Sequence, residues 1–171
     1  MKRACFSGHG KYEYNKMTRE ALKQTIDLLI KLGVTEFMVG NYGNFDRLCA
    51  SVLKEMKKDF PQIKICLTVP YVTESVKQKA DEFDEVVIPE LPLSTPRNLK
   101  IIKCNEHMVD ISDALVSYVK YDWGGAARTL DYAWNKNKSS NESVIDIYHI
   151  ADFEQELINE KMKELYGEYY E

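Results

Sequence analysis

The sequence predicts an α/β protein built on a mainly parallel sheet with helices on both faces. Three observations carry this reading. Short apolar runs that suit buried strands alternate with stretches whose apolar residues recur at helical spacing, the pattern of successive βα units. Three of the strand-like runs end in glycine turns (Gly8-His9-Gly10, Gly40 to Gly43, and Gly124-Gly125), which a parallel sheet brings to one edge. The chain has 171 residues and 44% hydrophobic content, enough for one sizeable core. Residues 1–171 therefore read as a single domain, with 166–171 as a frayed tail.

Arg3 to Ser7 is the first strand, and Gly8-His9-Gly10 leaves it. A helix follows from near Thr18, a candidate N-cap, with Leu22, Ile26, Leu29 and Ile30 as its apolar stripe and Gly33 just past its end. Val34 to Val39 is the second strand. Gly40-Asn41-Tyr42-Gly43-Asn44 then turns the chain, with Asn44 as N-cap and Asp46 in the first turn of the next helix. That helix carries Leu48, Val52 and Met56 on one face and stops before Pro61. Ile63 to Val69 is the third strand, Tyr71 to Phe83 a short helix or irregular crossing, and Glu85 to Ile88 a fourth strand. The proline-rich run Pro89 to Pro96 is a connection or a lid. Thr95 caps the following helix with Pro96 at its first position, and Ile101, Asn105, Met108 and Val109 share a face. Ala114 to Val119 is a buried strand, and Ala127, Leu130, Ala133 and Trp134 line one side of the helix beyond it. A polar gap precedes the last strand, Ser143 to Ile150, and Asp152 caps a closing helix that carries Phe153, Leu157, Met162 and Leu165.

Charged residues make up 29% of the chain and the formal net charge is -4, with no evident basic patch, which argues against a nucleic-acid partner. No apolar run approaches a membrane span, and Lys2 and Arg3 lead straight into a strand, so the protein reads as cytoplasmic. Cys5, Cys49, Cys66 and Cys104 lack CxxC spacing, which speaks against structural zinc and for reduced core cysteines.

The chemistry concentrates at Asp122-Trp123-Gly124-Gly125-Ala126-Ala127-Arg128-Thr129-Leu130-Asp131. Two glycines sit where a strand ends and a helix begins. The free N–H groups and positive dipole end of that helix suit a phosphate or another anion, although a tight turn alone explains the pair equally well.

With these pieces in place the sequence resembles the YpsA-like branch of the SLOG superfamily, which also holds the LOG-type phosphoribohydrolases and the Smf/DprA proteins. The matching segments are Cys5 to His9, Gly40 to Asp46, Asn105 to Asp110, Ser112-Asp113, Trp123 to Gly125 and Thr129 to Ala133. The resemblance implies a Rossmann-like three-layer fold and a pocket for a nucleotide or nucleotide-derived small ligand, held as by a sensor or ligand-binding protein. The alternative it carries is an N-glycosidic-bond hydrolase of the LOG type acting on a nucleoside monophosphate, with Asp131 at the position of the catalytic glutamate. Departures weaken the hydrolase reading: Ala127 replaces a glycine, and Gly10 and Cys104 stand where the YpsA-like pattern carries arginines, two natural charge partners of a phosphate.

The ligand-binding candidates are Ser7, Gly8, His9, Gly40, Asn41, Gly43, Asn44, Asp46, Asn105, Asp110, Trp123, Gly124, Gly125 and Thr129. Ser7, Gly8 and His9 would donate to a phosphate or ribose, or form a plain strand exit. Asn44 and Asp46 would contact ribose or base, or only cap a helix. Asp110 and Asp113 would form a carboxylate pair or a loop cap. Trp123 would stack on a base or plug the helix start. No cofactor is evident, and a magnesium ion arriving with a phosphate would leave no motif. Relatives in this family often pair through surface helices, so a homodimer fits the resemblance.

Overall fold

In the computed structural model, which describes residues 2–141 and 144–167, six strands pair in parallel into one sheet. They are β1 (Arg3–Gly8), β2 (Glu36–Val39), β3 (Lys64–Thr68), β4 (Glu85–Val87), β5 (Ala114–Tyr118) and β6 (Asp146–His149), in the order β4-β3-β2-β1-β5-β6. The helices are α1 (Lys16–Lys31), α2 (Asn44–Lys57), α3 (Glu74–Lys79, followed by a 3₁₀ turn), α4 (Arg97–Asp110), α5 (Gly125–Ser139) and α6 (Ile150–Tyr166). Leu22, Ile26 and Leu29 of α1, Val52 and Leu53 of α2, and Ile150 of α6 bury against one face of the sheet. Met108 and Val109 of α4 and Ala133 of α5 bury against the other, over Cys5, Met38, Cys66 and Leu115. The predicted three-layer α/β architecture is the one observed, and all four cysteines are buried and free.

The chain builds outward from β1 through β2 and β3 to β4, then returns to lay β5 on the other side of β1. Between β1 and β5 the direction of winding reverses, and the connections leaving these two strands splay apart. Open parallel sheets form their crevice at such a place.

Several helix starts differ from the sequence reading. Asn15, not Thr18, caps α1: its side chain accepts from the Met17 and Thr18 N–H groups, and Thr18 completes a capping box at the third helical position. Gly43, not Asn44, is the cap of α2, Pro96 rather than Thr95 that of α4, and His149 rather than Asp152 that of α6. Strand ends move by a residue or two, because pairing with neighbours rather than apolar pattern sets them. Trp134 and Leu165 are exposed, unlike Ala133 and Ile150. Ser143, the expected start of the last strand, and 168–171 of the expected tail lie outside the described residues.

Candidate functional site

The three glycine turns do meet. Phe6, Ser7 and Gly8 from the end of β1, Gly10 beyond it, Tyr42, Gly43 and Asp46 from the β2–α2 connection, Ile101 and Asn105 from α4, and Gly125 and Ala126 at the start of α5 line one cavity of about 160 Å³. It lies at the strand C-terminal edge, over the β1/β5 reversal.

The glycines do not all serve the same physical need. A Cβ at Gly8 would sit 2.3 Å from the Phe45 ring, and one at Gly43 would sit 2.2 Å from Gly10 Cα. These two allow close packing of the β1 exit against the start of α2. Gly124 has φ +93°, a conformation side chains rarely adopt. Gly125 is of neither kind: nothing stands within 4 Å of an added Cβ, so its Cα faces open space.

Asn15 and Thr73 cap α1 and α3 with their side chains. Gly43 and Gly124, which cap the two helices starting at the cavity, have no side chain to do so. The first-turn N–H groups of α5 thus stay open toward the cavity, at the positive end of the helix dipole.

Asp46 is the carboxylate of this cavity. It is partly buried, and its Oδ2 accepts the Tyr42 N–H at 2.9 Å. Burial pushes its carboxyl up to about 6, against the lowering effect of that bond and of Arg47. Arg47 itself turns to the Asn44 side-chain oxygen, and the Asn44 amide donates to the Tyr12 carbonyl at 2.9 Å.

His9, Tyr121 and Trp123, none of which lines the cavity, form an aromatic stack at the β1 and β5 exits. The buried His9 ring stacks on Tyr121 (centroids 3.6 Å apart, 8° between planes), and Tyr121 stacks on Trp123 at 4.2 Å. His9 Nε2 accepts the Lys120 N–H at 2.8 Å, which ties the β1 exit to the β5 exit. Burial lowers the His9 pKa, which keeps the ring a neutral acceptor. Trp123, at 67% exposure, ends the stack with its outer surface in solvent. Tyr12, Tyr14, Phe45 and Tyr118 pack edge and face beneath. Tyr118 donates to Glu154 at 3.1 Å and Thr18 donates to the same carboxylate at 2.5 Å, so Glu154 is buried with partners.

Of the residues singled out from sequence, Ser7, Gly8, Gly43, Asp46, Asn105 and Gly125 therefore share the cavity wall. Gly40 and Asn41 line an adjoining groove that also includes Asp46. Thr129 is buried and donates back to the Gly125 carbonyl within α5. Asp110 does not join them. It ends α4 near the start of β5, at the opposite edge of the sheet, and accepts from Tyr132 at 2.9 Å and Lys136 at 3.2 Å. Asp113 accepts the Lys2 and Arg3 N–H groups on that same far edge. Asp131 is exposed on α5 and is not among the residues lining the cavity. The His9–Tyr121–Trp123 stack escaped sequence reasoning; the crowding of Tyr12, Tyr14, Tyr118 and Tyr121 near two strand ends was its only signal.

No known family pattern and no curated protein matches the chain. Among solved structures, DNA processing protein A from Helicobacter pylori, described for its single-stranded DNA binding mode, aligns over 94% of this chain and 81% of that one, with a TM-score of 0.56 and 13% identity. A protein from Aquifex aeolicus VF5 covers 99% of this chain and 91% of its own at TM-score 0.36 and 12% identity. A pyridoxal 5′-phosphate-dependent aspartate racemase covers 73% and 44% at 0.30 and 19%. The last two are too distant to bear on the fold. Among the described residues no helix is long and apolar enough to cross a membrane. The first likeness corrects one expectation: a net charge of -4 is no ground for setting nucleic acid aside, because a protein of this fold binds single-stranded DNA. What the chain shares with that Smf/DprA protein is its parallel Rossmann-like fold.

Proposed function

We propose that the cavity at the β1/β5 reversal binds a nucleotide, free or as part of a single strand, in the manner of a ligand-binding protein of the YpsA-like kind. The observation that carries this is the meeting of two helix starts, both capped by side-chain-free glycines, over the reversal point of the sheet. The phosphate sits against the open N–H groups of Gly125 and Ala126. Ser7 and Asn105 line the same wall and supply polar contacts to the sugar. The exposed end of the Tyr121–Trp123 stack lies directly before Gly124 and offers an aromatic surface to the base. The hydrolase alternative through Asp131 gains no support, since that carboxylate is exposed and outside the cavity lining.

Calorimetric titration with nucleoside monophosphates, ADP-ribose, NAD and ribose 5-phosphate, with and without magnesium, tests the reading. Trp123→Ala should weaken the nucleotides by about 1–3 kcal/mol, the worth of one stacked base, and leave ribose 5-phosphate unchanged. Equal losses for ligands with and without a base would remove Trp123 from the site.

A further inference from the structure

We infer that the ligand extends beyond one nucleotide, and that a groove over α2 receives the phosphodiester backbone of a single strand whose terminal or flipped nucleotide occupies the cavity. This rests on the nucleotide reading above and adds the class of ligand. The groove has a volume of about 700 Å³ and shares Asp46 with the cavity wall. Five cationic side chains line it: Arg19, Arg47, Lys54, Lys58 and Lys79.

Two of these charges are already matched. Arg19 pairs with Glu55 at 2.5 Å and Lys54 with Glu82 at 3.0 Å. The other three stand in no ion pair among the described residues, although Arg47 lies near enough to Asp46 to lower its carboxyl. Arg47 bonds only the neutral Asn44 side chain, Lys79 donates to the neutral Asn41 oxygen at 3.2 Å, and Lys58 stands in no ion pair. Three other lysines are paired: Lys23 with Glu55, Lys57 with Asp84 and Lys64 with Glu85. Three cations without an ion pair thus line the groove that adjoins the cavity.

Their spacing selects the ligand. Arg47, Lys54 and Lys58 fall on one stripe, since seven and eleven residues are close to two and three helical turns. From Arg47 to Lys58 the stripe runs about 16 Å. A single pyrophosphate cannot engage both ends of such a row, whereas successive phosphodiesters of a strand can.

The test compares deoxythymidine monophosphate with an oligothymidylate of about ten nucleotides, using wild type and the double variant Lys58→Ala/Lys79→Ala, exposed at Lys58 and half-buried at Lys79, whose fold is checked by circular dichroism. In wild type the oligonucleotide should bind more tightly than the mononucleotide and with steeper salt dependence. In the variant the slope of log K against log salt should fall by about 1.4, two contacts at ~0.7 each, while mononucleotide binding holds. An oligonucleotide that binds no better than the monophosphate, or a slope unchanged in the variant, overturns the groove and spares the cavity. Polyglutamate of equal charge binding as tightly as the oligonucleotide also overturns it. Failure of both nucleotides to bind sinks the nucleotide reading itself, and the groove with it.

Discussion

Neutralising Asp46 should make the protein more stable at alkaline pH and no more stable in acid. The carboxyl sits in the first turn of α2, partly buried, with the Tyr42 N–H on Oδ2. Burial raises it from 3.8 to about 6, so the folded state binds its proton more tightly than the unfolded chain does. A group with a raised folded pKa contributes stability that is fully present below about 4 and lost as pH rises through about 6. The difference corresponds to about 3 kcal/mol between pH 4 and pH 8, an upper figure because the group keeps some solvent contact. In Asp46→Asn the amide oxygen still accepts from Tyr42, but the charge and its favourable placement at a helix start, worth about 0.3–1 kcal/mol, are gone. Urea unfolding should therefore show the variant ahead of wild type by about 1–2 kcal/mol at pH 8, and level with it or slightly behind at pH 4. A difference that stays constant from pH 4 to 8, or a variant weaker at pH 8, would refute the argument that this carboxylate is held charged at a cost. Such a cost fits a residue kept for its chemistry in the cavity rather than for the fold.

Other perturbations have equally definite outcomes. Gly43→Ala places a methyl 2.2 Å from Gly10 Cα, so a thermal melt should show a loss of about 1–3 kcal/mol. His9 should titrate by NMR with a midpoint below 6.5, and the Lys120 amide should shift with it, because protonation destroys the Nε2 acceptor. Its folded pKa being depressed, the stability it contributes is present above 6.5 and lost as pH falls through the folded midpoint; a midpoint at or above 6.5 contradicts the buried-acceptor geometry. Glu154→Leu takes the carboxylate acceptor from the buried Tyr118 hydroxyl and from Thr18, whose hydroxyl keeps only its bonds to Asn15, at a cost of about 1–3 kcal/mol, and chemical denaturation should show a loss well above that of a surface change.

The sheet and its helices were legible because a parallel α/β fold writes itself locally: continuous apolar strands, helical stripes, and glycines where one becomes the other. The meeting of Gly8, Gly43 and Gly125 was legible too, since strand direction alone places their turns on one edge. Capping was read less well, because Thr18 and Asn44 are good cap types that lie inside their helices, Thr18 at the third position bonded to Glu154 and Asn44 at the first with its N–H on the Gly10 carbonyl. Asp110 looked like a site residue by composition, but its helix runs away from the cavity and ends at the far edge. The aromatic stack and the cationic groove depended on residues far apart in sequence, His9 with Tyr121 and Arg47 with Lys79. Only the Arg47, Lys54, Lys58 spacing on one helix gave any local hint.

The central claim is that the open space in front of Gly125 is a nucleotide site. A thermal shift of wild type and Gly125→Trp with a nucleotide at a hundred times its dissociation constant tests it directly. Wild type should gain about 2.7 kcal/mol, or roughly 5–11 °C for a chain of this size. The variant should melt near wild type without ligand, because no protein atom stands in the way of the first side-chain carbon, and show no gain with it. Undiminished stabilisation in Gly125→Trp would place the ligand elsewhere, and a wild type indifferent to nucleotides both free and in single strands would contradict the account.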